Sequence, residues 1–193
     1  MTPIVVRVGD VAPTPWRNGG GVTRELLAWP KARDWIVRVS VADIVASGPF
    51  SEYPGVDRWF AVLTGGAIQL QSTGAAPQVL DASQPALHCF SGDAATHCSA
   101  LGATTRDFNV MLRRTHGRLH QQPLAQSPLL ETSAEVIALF TMQPLAVEAA
   151  GDAGYRLPGM TLAWWHNPRR GKLTLRAEVA NARGWWLEVT TAP

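Results

Sequence analysis

Three stretches of this 193-residue chain place polar side chains where they could do chemistry. The first is WRNGGGVTRE, residues 16–25, in which Trp16, Arg17 and Asn18 precede a triglycine and Thr23, Arg24 and Glu25 follow it. Glycine loses the most backbone freedom on folding, so three in a row mark either a bend between strands or a close approach to the backbone. No Gly-Lys-Ser/Thr follows and no βαβ unit surrounds the run, which excludes a phosphate loop and a dinucleotide fingerprint. Without Cβ walls at Gly19 and Gly20, a ligand could reach main-chain N–H groups while Asn18, Thr23 and Glu25 orient it.

The second stretch, SGPFSEYPGVDRWFAVLTG, covers residues 47–65. Pro49 and Pro54 stiffen it, Phe50 and Tyr53 give it apolar weight, and Asp57 and Arg58 open a strand. An arginine at a strand mouth can fork onto a carboxylate through two charge-assisted hydrogen bonds. The plainer alternative is that Asp57 caps a turn and Arg58 pairs with it. The third stretch is RDFNVMLRR, residues 106–114, where Asp107 and Asn109 share the side opposite Phe108, Val110 and Leu112. Facing water, that side makes an ordinary amphipathic strand. Facing an interior, each polar group needs a partner, because leaving one unmade costs about 1–3 kcal/mol. Arg38 and Ser40, opposite Trp35, Val37, Val39 and Val41, pose the same question.

Other reactive residues carry less. His116 and His120 lie four apart, but Gly117 interrupts them, no metalloprotease glutamate accompanies them, and Pro123 follows. Two cysteines, Cys89 and Cys98, are too few for a disulfide framework or a structural zinc, so both read as buried free thiols, a pair across adjacent strands being the alternative. The tryptophan doublets at 164–165 and 185–186 read as core or interface filler, since neighbours on a strand point to opposite faces.

The elements that must position these residues are strands. Apolar and polar residues alternate with period two in DWIVRVSVADIV, RWFAVLTGGAIQLQ, RDFNVMLRR, KLTLRAEVA and GWWLEVT. Prolines and glycines, 14 and 17 of them, fall mostly between the runs as turn punctuation. Gly65-Gly66 predicts a tight hairpin, and SPLLETSAEVIALF suits either a helical turn or two or a strand. The polar segment 115–128 reads as a connector, dividing a larger β half over 1–117 from a smaller one over 118–193. Many short strands predict an all-β sandwich or barrel. Hydrophobic content of 46% supports a real core, and a net charge of +2 with no basic stripe excludes a nucleic-acid grip. No signal peptide and no membrane-length apolar run is visible, so a cytoplasmic setting is expected.

The three stretches, in this order within Trp16–Arg114, resemble the HutD/Ves family. The resemblance implies a cupin-like double-stranded β-helix in a two-barrel (bicupin) arrangement. Members are often encoded with histidine-utilisation enzymes and are suspected of binding a small pathway metabolite such as urocanate or a formylated glutamate derivative, with a regulatory role. Catalytic cupins hold a metal through a His-x-His…Glu…His set, and this chain has no His-x-His, so neither metal nor cofactor is expected. On this reading Asn18, Gly19, Gly20 and Thr23 line a pocket mouth with Arg38, Asp107 and Asn109 beneath. Trp16, Glu25, Ser40, Phe50, Asp57 and Arg58 complete the expected ligand-binding set. The leading expectation is a non-enzymatic sensor of a small anionic metabolite. Its rivals are a metal-independent isomerase or hydrolase using Glu25 with Asp107 for proton transfer, and a protein-partner module using surface tryptophans. A homodimer is left open.

Overall fold

Period-two alternation works because successive side chains on an extended chain point to opposite faces, so one face can be buried while the other stays wet. A computed structural model of the protein describes residues 2–83, 86–149, 154–178 and 182–192, and within them the alternating runs are strands. In chain order these are β1 (Ile4–Arg7), β2 (Thr14–Pro15), β3 (Gly21–Trp29), β4 (Val37–Ile44), β5 (Gly48–Pro49), β6 (Val56–Gly65) and β7 (Ile68–Ser72). There follow β8 (Gln78–Leu80), β9 (His88–Ser91), β10 (Thr96–Ala100), β11 (Thr105–Arg113), β12 (Gly117–Pro123) and β13 (Leu129–Thr132). The last are β14 (Val136–Thr141), β15 (Leu145–Ala149), β16 (Tyr155–Leu157), β17 (Thr161–His166), β18 (Leu173–Ala177) and β19 (Gly184–Thr191). The helical content among the described residues is two single 3₁₀ turns, Val8–Asp10 and Leu124–Gln126. The protein is all-β.

Contacts divide the chain into two units, Ala12–His116 and the chain up to Val11 together with the chain from Gly117 onward. In the Ala12–His116 unit a six-stranded antiparallel sheet, in the order β2-β3-β4-β11-β6-β9, accompanies a four-stranded one, β5-β10-β7-β8. Ile44, Phe60, Val62 and Phe90 from the first sheet pack with Ile68, Leu70 and Cys98 from the second. The opposite face of the six-stranded sheet carries Val37, Val39, Val41, Phe108, Val110 and Leu112, all buried. Apolar residues thus line both faces of the sheet, and the polar positions on its inner face are the exception.

The other unit pairs a five-stranded sheet, β1-β17-β14-β19-β12, with a four-stranded one, β13-β18-β15-β16. Its interior is filled by Ile137, Leu139, Trp165 and Trp186 from one sheet and by Val147, Leu157 and Leu175 from the other. Trp185 is buried as well, so both tryptophan doublets contribute to packing.

Several expectations need correction. The opening residues, assigned to the N-terminal half by chain position, form β1 and pair with β17 in the other unit, Ile4 opposite Trp164. Gly65-Gly66 does not close a hairpin: β6 and β7 belong to different sheets, and the glycines turn the corner between them. Gly65 has φ +98°, and a Cβ there would collide with the Thr104 carbonyl oxygen. A β-branched or bulky residue could not hold that corner. Half of the polar connector is a strand, β12, which pairs over its whole length with β19. Its polarity reflects an edge position, where one side of the strand stays wet. SPLLETSAEVIALF resolves into β13 and β14, with no helix. Among the described residues no ladder joins the two sheets of either unit, so each is an open pair of sheets rather than a closed barrel.

Candidate functional site

Register across the six-stranded sheet sets polar side chains in rows. Glu25 of β3 lies opposite Ser40 of β4, which lies opposite Asn109 of β11, which lies opposite Phe60 of β6. In the next row Arg38 and Arg58 flank Met111. A bulge between Glu25 and Leu27 shifts the pairing of β3 on β4 just past this point. Such bulges re-aim side chains.

These rows form the floor of a cavity of about 780 Å³, within the range of small-molecule sites. Trp16, Pro49, Phe50, Ser51 and Tyr53 add walls, and the exposed Arg17 and Asn18 stand at the edge. The Trp16 indole N–H donates to Thr23 Oγ1 at 2.7 Å, and its ring meets Phe50 edge-on with centroids 6.2 Å apart.

The triglycine answers a local steric demand. Gly19 has φ +71°, and its N–H donates to the Trp16 carbonyl, while the Gly20 N–H donates to Asn18 Oδ1 at 3.1 Å. A Cβ on Gly21 would collide with the Asp43 carbonyl and press against the Trp16 ring. The run is therefore a tight turn between β2 and β3 that holds Trp16 and Asn18 at the cavity. Gly19 and Gly20, expected at the pocket mouth, do not line it, and their N–H groups are taken up within the turn.

Of the remaining expected residues, Trp16, Asn18, Thr23, Glu25, Arg38, Ser40, Phe50, Arg58 and Asn109 meet at the cavity. Asp57 and Asp107 do not. Asp57 leaves the opposite side of β6 from Arg58 and pairs with Arg114 at 2.7 Å, so the expected Asp57–Arg58 pair is ruled out by strand geometry. Arg114 also reaches Asp93 at 3.0 Å. The Gly55 N–H, Ser91 and Arg114 together hold the exposed Asp93 carboxyl down to about 2.

Asp107 faces inward one row beyond Asn109, between Ala42 and Val62, and is fully buried. Its Oδ2 accepts a hydrogen bond from the Thr105 hydroxyl at 2.8 Å, and its Oδ1 has no partner. Burial pushes its pKa up to about 7, with the Thr105 bond opposing and the charge of Asp43 adding to the rise. The proton-transfer pair considered from sequence is thus not assembled: Glu25 lines the cavity and Asp107 does not.

Arg58 is the unusual group. It is 6% exposed, and its guanidinium lies 5.0 Å from the Phe50 ring centroid, 5.7 Å from Tyr53 and 4.9 Å from Phe90. Its hydrogen bonds, to the Ser51 carbonyl and to Asn109 Oδ1, are both long at 3.4 Å, and its Nε has none. Among the described residues no carboxylate lies within ion-pair distance. Burial lowers its pKa to about 10; Tyr53 opposes that shift and the nearby charge of Arg38 adds to it. Arg38, by contrast, is neutralised by Glu25, its Nε donating to Oε2 at 2.6 Å.

Tyr53, Phe60 and Met111 belong to the cavity but were not singled out as site residues. The signal was available for two of them: Phe60 lies two residues from Arg58 and Met111 two from Asn109, on the same strand faces. Among the described residues no group of three or more His, Cys, Asp or Glu side chains could hold a metal ion.

A family model described as HutD matches residues 9–183, nearly the whole chain. The chain belongs to the HutD family. A Pseudomonas putida relative, named as an uncharacterized 21.2 kDa protein in the hutC 3′ region, is 32% identical over 167 residues, covering 79% of this chain and 81% of its own. Protein Ves of Citrobacter koseri is 40% identical over 101 residues, 51% of this chain and 52% of Ves. The chain therefore spans about half the length of the Ves relatives it matches.

Among solved structures, a conserved Pseudomonas aeruginosa protein of unknown function superposes with TM-score 0.85 at 27% identity, covering 99% of this chain and 100% of that one. HutD from Pseudomonas fluorescens, in a formate condition, gives 0.82 at 24% with the same coverage. A cupin conserved-barrel protein from Leptotrichia buccalis gives 0.59 at 7%, covering 100% and 98%. The last two likenesses concern the fold, which is cupin-like.

Proposed function

We propose that this protein is a non-catalytic binder of a small anionic metabolite of histidine breakdown, urocanate or a formylated glutamate derivative, and acts in regulating that pathway. The observation that carries the reading is Arg58, a buried guanidinium facing a cavity with no acid beside it. Burying an unpaired charge costs several kcal/mol, and a ligand carboxylate in the cavity would offset that cost. The guanidinium fork suits a carboxylate, the surrounding rings suit a flat or apolar ligand body, and Asn109 and Ser40 offer neutral hydrogen bonds. The histidine link rests on the HutD family and on the hutC neighbourhood named for the Pseudomonas putida relative. A bicupin arrangement, as two cupin-like units of open paired sheets, and a cytoplasmic setting belong to the same reading.

The separation of Glu25 from Asp107 favours binding over proton-transfer catalysis, which needs its acid and base within reach of one substrate. The test is a thermal melt with urocanate, N-formylglutamate, formiminoglutamate and histidine. Saturation at about a hundred times Kd stabilises by roughly 2.7 kcal/mol, an increase of about 5–10 °C for a protein of this size. Ultraviolet spectra of the compounds should stay unchanged over hours with the protein present. Melts that ignore all four compounds at millimolar concentration refute the reading.

A further inference from the structure

We infer that the cavity is built for a dianion: one carboxylate of a short dicarboxylate lies on Arg58 and the other on the terminal nitrogens of Arg38. The inference rests on the ligand-binding reading above and adds the ligand's charge and the residue that holds each end. Among the described residues, four charged side chains line the cavity: Arg17, Glu25, Arg38 and Arg58. Arg17 and Glu25 are both exposed, so solvent screens both. Counting the two or setting both aside gives the same balance, two positive charges. A ligand with one carboxylate answers half of that balance, and a ligand with two cancels it.

Both guanidiniums have nitrogens to spare. Arg58 has no acid beside it, and its two hydrogen bonds are long at 3.4 Å. Arg38 meets Glu25 through Nε alone, at 2.6 Å, and its two terminal nitrogens have no protein partner among the described residues. Those nitrogens form the end fork of the guanidinium, which matches a carboxylate with two parallel bonds. Glu25 therefore orients Arg38 without filling it. The two arginines stand in one row of the sheet with Met111 between them, about 10 Å apart at the backbone, which is two strand spacings. They are close enough that the charge of Arg38 helps to lower the pKa of Arg58. Like charges held this near repel, and a diacid bridging them replaces that repulsion with attraction at both ends. Met111 lines the floor between them and suits the apolar middle of such a ligand. Of the two ligand types named above, the formylated glutamate carries two carboxylates and urocanate one.

The test is isothermal titration with N-formylglutamate, N-formylglutamine and urocanate. N-formylglutamine keeps the shape of the first and replaces one carboxylate with a neutral amide. Wild type should bind N-formylglutamate at least about tenfold more tightly than either monocarboxylate, as expected for one more charge-assisted contact. Arg38→Gln should bring the two formyl compounds to about equal affinity. Arg38→Lys keeps the charge and should retain the preference for the diacid, as should Arg17→Gln. Equal wild-type affinities for the two formyl compounds, or tighter binding of urocanate than of N-formylglutamate, overturns the inference while leaving the carboxylate site standing. So does a preference that survives Arg38→Gln or that disappears in Arg17→Gln. No binding of any of the three to wild type at millimolar concentration overturns both.

Discussion

Replacing Asp107 with asparagine should make this protein more stable above about pH 5, and not below it. Asp107 is fully buried, one of its oxygens has no partner, and its pKa rises from an ordinary 3.8 to about 7. Between those two values the unfolded chain has released a proton that the native protein still holds. Stability therefore falls as pH rises through that window and levels off above it. At about 1.4 kcal/mol per tenfold change in proton concentration, the accumulated penalty reaches roughly 4 kcal/mol by pH 8. Asparagine removes the charge and keeps the shape. Its amide N–H₂ takes the place of an atom without a partner, at a cost of about 1 kcal/mol. Asp107→Asn should thus gain about 3 kcal/mol at pH 8 and lose about 0.5 kcal/mol at pH 4, where the native carboxyl is protonated and the unfolded one is about half ionised. Urea denaturation of both proteins at the two pH values measures this, and other titrating groups cancel in the comparison. If the units unfold separately, the transition of the Ala12–His116 unit is the one that should move. A difference between variant and wild type that is the same at pH 4 and pH 8 refutes the argument.

Arg58→Met should abolish stabilisation by carboxylate ligands in thermal melts while leaving the ligand-free melting temperature unchanged or higher, since it replaces an unpaired buried charge with an apolar chain. Gly21→Ala should cost more than about 2 kcal/mol, measured by denaturation, because its Cβ would collide with the Asp43 carbonyl and displace Trp16. Alkylation followed by mass spectrometry should label the exposed Cys89 in the native protein. It should reach Cys98 only after unfolding, because that thiol is buried and its pKa is pushed up to about 12. Equal native labelling of both would contradict the packing of β10.

Much of the site was legible because strand geometry is local. Once RDFNVMLRR and DWIVRVSVADIV are strands, Asn109, Arg38 and Ser40 must leave opposite the valine faces, and they do so side by side. The triglycine was legible as a constraint but not as a purpose. Gly19 and Gly20 serve the turn, and what reaches the cavity is the flanking Trp16 and Asn18. The same alternation that put Asp57 and Arg58 on opposite sides was sufficient to exclude their pairing. Strand partners were less legible. The polar run 115–128 gave no sign that β19 lies alongside it, and nothing near Ile4 points to Trp164, because pairing across more than a hundred residues depends on the folded whole.

The sequence by itself determined the all-β class and which side chains share a strand face, since both follow from backbone geometry that each residue carries with it. Only the tertiary structure decided that the polar face of the six-stranded sheet encloses a cavity while the interior of the other unit is filled with tryptophan and leucine. It also decided that Arg38 has an acid beside it and Arg58 has none. Charge pairing is set by through-space distance between strands far apart in the chain, and no local pattern encodes that distance.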